Sequence, residues 1–205
     1  MQLIAESYDL SDYLSSSDII DFDDAEIGKV LQRLQSVSSD ELERAKNIYE
    51  YVRDAIPHSF DIDGLIVTCK ASDVLRYGEG ICFAKSHLLA ALMRSAGIPA
   101  GFCYQKLVFD DADPHYKTLH GLNAIYIKSI DKWIRLDARG NKAGVDAQFS
   151  TDEEKLAFPV RKEMGEQDYP TIYTNPDPAI IRSLQENKTI QELMHNLPSK
   201  LVYIP

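Results

Sequence analysis

Cysteine is scarce in this chain of 205 residues: Cys69, Cys82 and Cys103 make three, odd in number and widely spaced. Such a set builds no disulfide framework and fits a reducing compartment. Without a CxxC pair it also gives no support to a structural zinc site. Basic residues are few as well, 22 Lys and Arg against 32 Asp and Glu, for a net charge of −10. That balance argues against a nucleic-acid or anionic-membrane surface, because counterion release needs clustered cations. Long apolar runs are missing too, and none approaches the ~20 residues needed to cross a bilayer. Met1-Gln2-Leu3-Ile4-Ala5-Glu6 lacks the basic start and long apolar centre of a secretory signal. The expectation is a soluble, cytoplasmic chain. The acidic residues Asp18, Asp21, Asp23, Asp24 and Glu26 read as a solvated helix start. Asp61-Ile62-Asp63-Gly64 and the acidic stretch 110–113 lack the spaced ligands and closing Glu of a calcium loop.

What is present is enough apolar residue, 44% of the chain, to build one substantial core. A single domain over 1–205, with its core at 40–150, is the expectation. Residues 24–37 place Ile27, Val30, Leu31 and Leu34 on one helical face. Ser38 with Glu41 reads as a capping box opening a second helix that runs to Ile56, and Pro57 ends it. Residues 58–70 read as irregular, with a turn at Asp63-Gly64, and 71–77 as a short helix stopped by Gly78. The helix from Cys82 is apolar nearly all round, as a central, buried helix is, and Gly97 and Pro99 close it. Strands follow at 101–109, 119–128 and 132–137, with 129–131 as a hairpin turn. Residues 138–178 carry turn signals without a period and read as irregular, and stretches of that kind often border sites. Short helices at 179–185 and 189–196 complete an α+β pattern, with an antiparallel sheet packed on the Cys82 helix.

Cys82 is the residue that points to chemistry. Gly78-Glu79-Gly80-Ile81 leads into it, and the first turn of a helix presents free N–H groups and a positive dipole end to a sulfur. A thiol attacks a carbonyl as thiolate, so it needs such a helix end, an imidazole, or both. His120 can supply the imidazole from its strand. Asp137, on the next strand, can hold the ring tautomer through Nδ1–H if residues 123 and 137 face one another. His115 is the alternative base, in a loop. The bland readings are an inert small Cys in a helix, a satisfied strand His and a turn-initiating Asp.

The segment Tyr77 to Asp137 resembles the core of the transglutaminase-like superfamily of papain-fold thiol enzymes. The resemblance rests on Gly80-Ile81-Cys82, on Leu88-Leu89-Ala90-Ala91-Leu92-Met93-Arg94-Ser95-Ala96-Gly97-Ile98-Pro99-Ala100, on His120, and on Trp133-Ile134-Arg135-Leu136-Asp137. It implies a papain-like fold, a Cys82–His120–Asp137 triad, and acyl transfer from an amide or ester to the Cys, resolved by water or an amine. Two features depart from the pattern. His120-Gly121-Leu122-Asn123 lacks the Trp usual behind the His, which leaves a different or more open wall. No residue marks the second oxyanion donor, for which Tyr77 and His58 are candidates beside the Cys82 N–H. Lys85 shares the Cys82 side of the helix, to tune the thiolate, meet substrate, or stand solvated at a cleft rim.

The preferred reading is thus a Cys-dependent protease or amidase acting on a peptide or protein amide, with no cofactor and no metal. Hydrolysis is favoured over crosslinking, which must exclude water and guide a second amine. An arylamine-type acyltransferase also uses Cys-His-Asp, but its Arg-Gly-Gly lead-in and longer chain are missing. From another class, a catalytically silent module would use the cleft to hold a peptide.

Overall fold

Acidic caps set the starts of the first two α-helices. In the computed structural model, which describes residues 1–203, a two-residue strand β1 (Ile4–Ala5) precedes α1 (Ala25–Gln35). Asp24 caps α1 by accepting from the Glu26 N–H. α2 (Glu41–Ala55) is capped by Asp40, which accepts from the Glu43 N–H at 2.9 Å, while Glu43 reaches back to the Ser39 N–H. The capping box therefore lies two residues beyond the one expected at Ser38. A carboxylate gives a charge-assisted bond to the helix N–H that a serine hydroxyl does not.

α3 (Ala71–Tyr77) stops at Gly78, whose φ of +70° a side chain would resist. α4 (Cys82–Ser95) is the centre of the molecule, and every residue from Phe83 to Arg94 is buried. One side of α4 packs on β2 (Ala100–Asp110) and β3 (Asp113–Ile127), and the other meets α1, α2 and α3. That two-sided burial is why its sequence shows no polar face.

The main sheet is antiparallel, in the order β4-β3-β2-β5, with β4 (Lys132–Leu136) and β5 (Gln167–Asp168) at its edges. The turn between β3 and β4 falls where expected and ends on Asp131 at φ +50°. β3 starts six residues earlier than expected. Its first arm continues the hairpin with β2 past a shift in register near Val108, and it is mostly half-buried or exposed, so no apolar alternation marks it. Residue 123 pairs with 136 rather than 137.

The segment 138–166 is irregular apart from a 3-10 turn at Lys162–Met164. Beyond it β5 and β6 (Thr171–Ile172) are too short to signal themselves, and β6 pairs in parallel with β1. α5 (Pro178–Glu186) and α6 (Ile190–His195) close the chain. No helix among the described residues is long and apolar enough to cross a membrane.

Candidate active site

A short bridge between two segments holds Cys82 in place. The backbone of His58 runs beside Gly80, with Ser59 N–H donating to Gly80 O and Gly80 N–H to Pro57 O. Gly80 fits because a Cβ there would come within 3.1 Å of Ala84 Cβ and 3.2 Å of Thr68 Oγ1. Ile81, the residue before α4, offers no side-chain cap. The Cys82 N–H instead donates to His58 Nε2 at 3.1 Å. Cys82 is partly exposed, whereas burial pushes the Cys69 thiol up to about 11 and the Cys103 thiol up to about 12. One sulfur of the three is thus accessible.

His120 stands between Cys82 and Asp137. Its Nε2 lies 2.8 Å from Asp137 Oδ2, and the Cys82 sulfur is the second group that holds a proton on the ring. Burial opposes the imidazolium, but the Asp137 carboxylate and Cys82 outweigh it, and His120 is raised to about 10. Asp137 thus meets Nε2 rather than the expected Nδ1. The ring reaches from β3 toward the end of β4, so its far nitrogen meets the carboxylate. Asp137 is fully buried, and it also accepts from the Arg139 N–H and the Ala157 N–H at 3.1 Å each. Burial would raise it, but His120 and these two donors keep it below the usual carboxylate value.

Gly121 sets how closely β3 approaches α4. A Cβ there would sit 2.6 Å from Phe83 Cδ1, and Phe83 is the buried neighbour of Cys82. The small residue behind His120 is therefore what lets the strand lie against the start of the helix. Of the two alternatives expected beside the imidazole, a different wall or a more open one, the structure has the different wall. Phe158, from the irregular segment, meets the His120 ring edge-on with centroids 5.2 Å apart.

Cys82, His120 and Phe158 line a cleft of about 690 Å3. Phe60, Leu107, Leu119 and Leu197 give it apolar surface, and Arg139, Lys142 and Arg161 bring charge. Arg139 and Lys142 both pair with Asp61, which they hold well below the usual carboxylate range although burial opposes it. Arg161 pairs with Glu166 and Asp111.

The remaining sequence candidates fall in different places. His58 is in the cleft. Tyr77 is half-exposed at the end of α3 and is not among the residues lining the cleft, because its helix turns it toward solvent. Lys85 is fully buried rather than at a rim, and its Nζ donates to the carbonyls of Arg53, Ile56 and Arg139. Burial lowers it to about 7, with Arg139 pushing the same way. It ties three segments together behind the site and meets no substrate. His115 is on the exposed arm of β3, not in a loop, and lies outside the cleft. The sequence assigns no site role to Phe158 or Arg139 and weighs Asp61 only as part of a calcium loop, since each belongs to a segment without periodicity.

A cysteine opening a buried helix, with histidine on one strand and aspartate just past the end of the neighbouring antiparallel strand, defines the papain-like class of α+β folds. Within that class, the profile of the transglutaminase-like superfamily matches residues 29–138, more than half of the sequence, and the chain belongs to that superfamily. Among solved structures, a candidate cysteine protease from Cytophaga hutchinsonii matches with a TM-score of 0.52 and 20% identity, covering 65% of this chain and 43% of its own. A candidate protease from Parabacteroides distasonis matches at 0.40 and 17%, covering 61% and 25%. A transglutaminase matches at 0.43 and 15%, covering 87% and 51%. The chain therefore spans from a quarter to about half the length of these structures. At this identity the Cytophaga match shows a shared fold. A search of curated proteins finds no match.

Proposed function

We propose that the protein is a thiol-dependent amide hydrolase acting on peptide or protein amides through a thioester on Cys82. The observation that carries this reading is His120, which lines one cleft with Cys82 and is held at Nε2 by the buried Asp137. With the proton already held on His120, the Cys82 sulfur attacks the carbonyl carbon and the carbonyl π pair moves onto oxygen. The C=O then re-forms, the C–N bond breaks, and His120 returns the proton to the leaving amine. Water, deprotonated by His120, attacks the thioester and releases the acid and the thiol. Asp137 orients the ring and stabilises its charged form throughout.

Hydrolysis is preferred to transfer onto an amine because a cleft of about 690 Å3 admits water beside the acyl group. The test is intact-protein and product mass spectrometry with a library of peptides and esters. We expect an acyl adduct or a cleaved product with the wild-type chain and neither with Cys82→Ala. Products that persist in Cys82→Ala, or no adduct with any member, contradict the proposal, and the second result favours a binding module on the same fold.

A further inference from the structure

Lys85 is a fully buried amine that the thioester chemistry does not use, and three segments behind the site converge on it. Its Nζ donates to Arg53 O at 3.1 Å, to Ile56 O, and to Arg139 O at 3.1 Å, and among the described residues it bonds no carboxylate. Gly140 comes next in the chain at φ +106°, where a Cβ would come within 3.3 Å of Arg53 O and 3.4 Å of Lys85 Nζ. The backbone thus bends closely around the amine at a residue without a side chain, in a conformation that side chains resist.

Three acceptors require an ammonium. With three N–H groups it serves every carbonyl, whereas a neutral amine has two, and its lone pair then faces the third. Arg53 and Ile56 stand at the C-terminal end of α2, and the helix fixes their carbonyls. Arg139 lies in the irregular segment, so its carbonyl is the one released when the proton leaves. That carbonyl belongs to a turn that reaches the His120–Asp137 pair. The Arg139 N–H donates to Asp137 Oδ1 at 3.1 Å, and Asp137 Oδ2 lies 2.8 Å from His120 Nε2.

We infer that Lys85 is a positioning residue for His120: its ammonium holds the Asp137–Arg139 turn in the form that aims the carboxylate at the ring, and loss of that proton slackens the pair and slows acylation of Cys82. The inference rests on the thioester reading of Cys82. Burial, with Arg139 next, loosens the Lys85 proton, while Asp137, Asp54 and Asp61 favour it, which leaves the amine at about 7. The other ionisable groups around it are Tyr49 and Arg53 on α2 and His58 just beyond. The Tyr49 hydroxyl donates to Asp137 O, and the Arg53 guanidinium is turned to Asp54, Ala147 O and Gln148. Burial holds His58 well below its ordinary value and His120 is raised to about 10, so neither ring changes charge where Lys85 does.

The test follows one proton in three readouts. In wild type carrying carbon-13 lysine, the Lys85 Cε resonance, assigned by its absence from Lys85→Met, reports the titration between about pH 5 and about pH 9. The His120 Nε2–H proton resonance reports the bond to Asp137. Acetylation of Cys82 by p-nitrophenyl acetate, in which sulfur bonds to the carbonyl carbon and p-nitrophenolate leaves, is measured over the same range against Cys82→Ala. We expect the His120 resonance to shift and acetylation to fall by ~10-fold at the Lys85 midpoint as the pH rises. Lys85→Met should stay ~10-fold slow across the range, with that step gone. A His120 resonance or an acetylation rate that ignores the Lys85 midpoint, a Lys85 that keeps its proton throughout, or a step retained in Lys85→Met overturns the role given to Lys85. A wild-type chain that acetylates no faster than a small free thiol at any pH, with the His120 resonance still following Lys85, overturns the thioester reading instead.

Discussion

At the scale of the residue, the charge on His120 decides most of the behaviour. Folding moves its proton affinity from an ordinary 6.5 to about 10, because Asp137 and Cys82 favour the imidazolium more than burial disfavours it. The folded chain therefore holds this proton more tightly than the unfolded one. The stabilisation is complete below about pH 6.5 and is lost as the pH climbs toward about 10. Urea unfolding of wild type and His120→Gln should show a stability gap that narrows across that window, and a gap independent of pH contradicts the assignment. Cys82, His120 and Asp137 were legible because their order along the chain and their elements follow from local pattern. Lys85 was not. Its helix position placed it on the Cys82 side correctly, but only the tertiary fold surrounds it with three carbonyls.

Among the elements, the approach of β3 to α4 matters most. Gly121→Ala would put a methyl 2.6 Å from Phe83 Cδ1, in a ring with no free space to move into. We expect about 1–3 kcal/mol of destabilisation, seen as a lower urea midpoint, together with slower acylation of Cys82 as His120 is pushed from the helix start. Unchanged stability and acylation would show that the strand does not depend on this contact. The helices and the β3–β4 turn were readable from periodicity, caps and stop signals. β5, β6 and the first arm of β3 were not, since two-residue strands carry no period and the arm is mostly half-buried or exposed. The one-residue error in register came from counting a turn by length, whereas Asp131 in the left-handed region fixes it.

On the scale of the molecule, the irregular segment is fastened to the sheet through Arg135. Its buried guanidinium bonds both oxygens of Glu154 and both of Asp168, linking β4 to the segment that carries Ala157 and Phe158 and to β5. The Ala157 N–H bonds Asp137, and Phe158 walls His120, so this fastening supports the site from a distance. In Arg135→Met we expect faster amide hydrogen exchange across residues 150–160 and ~10-fold slower acylation of Cys82, with alkylation of the buried Cys69 and Cys103 still slow. Exchange and acylation both as in wild type would mean the segment is held by other contacts.

The central claim is that His120 activates Cys82, and the rate at which iodoacetamide alkylates Cys82 near pH 6.5, read by peptide mass spectrometry, tests it most directly. The account predicts a rate at least about tenfold above that of a small free thiol, falling to the free-thiol rate in His120→Ala. A wild-type rate equal to that of the free thiol, and unchanged in His120→Ala, would contradict it.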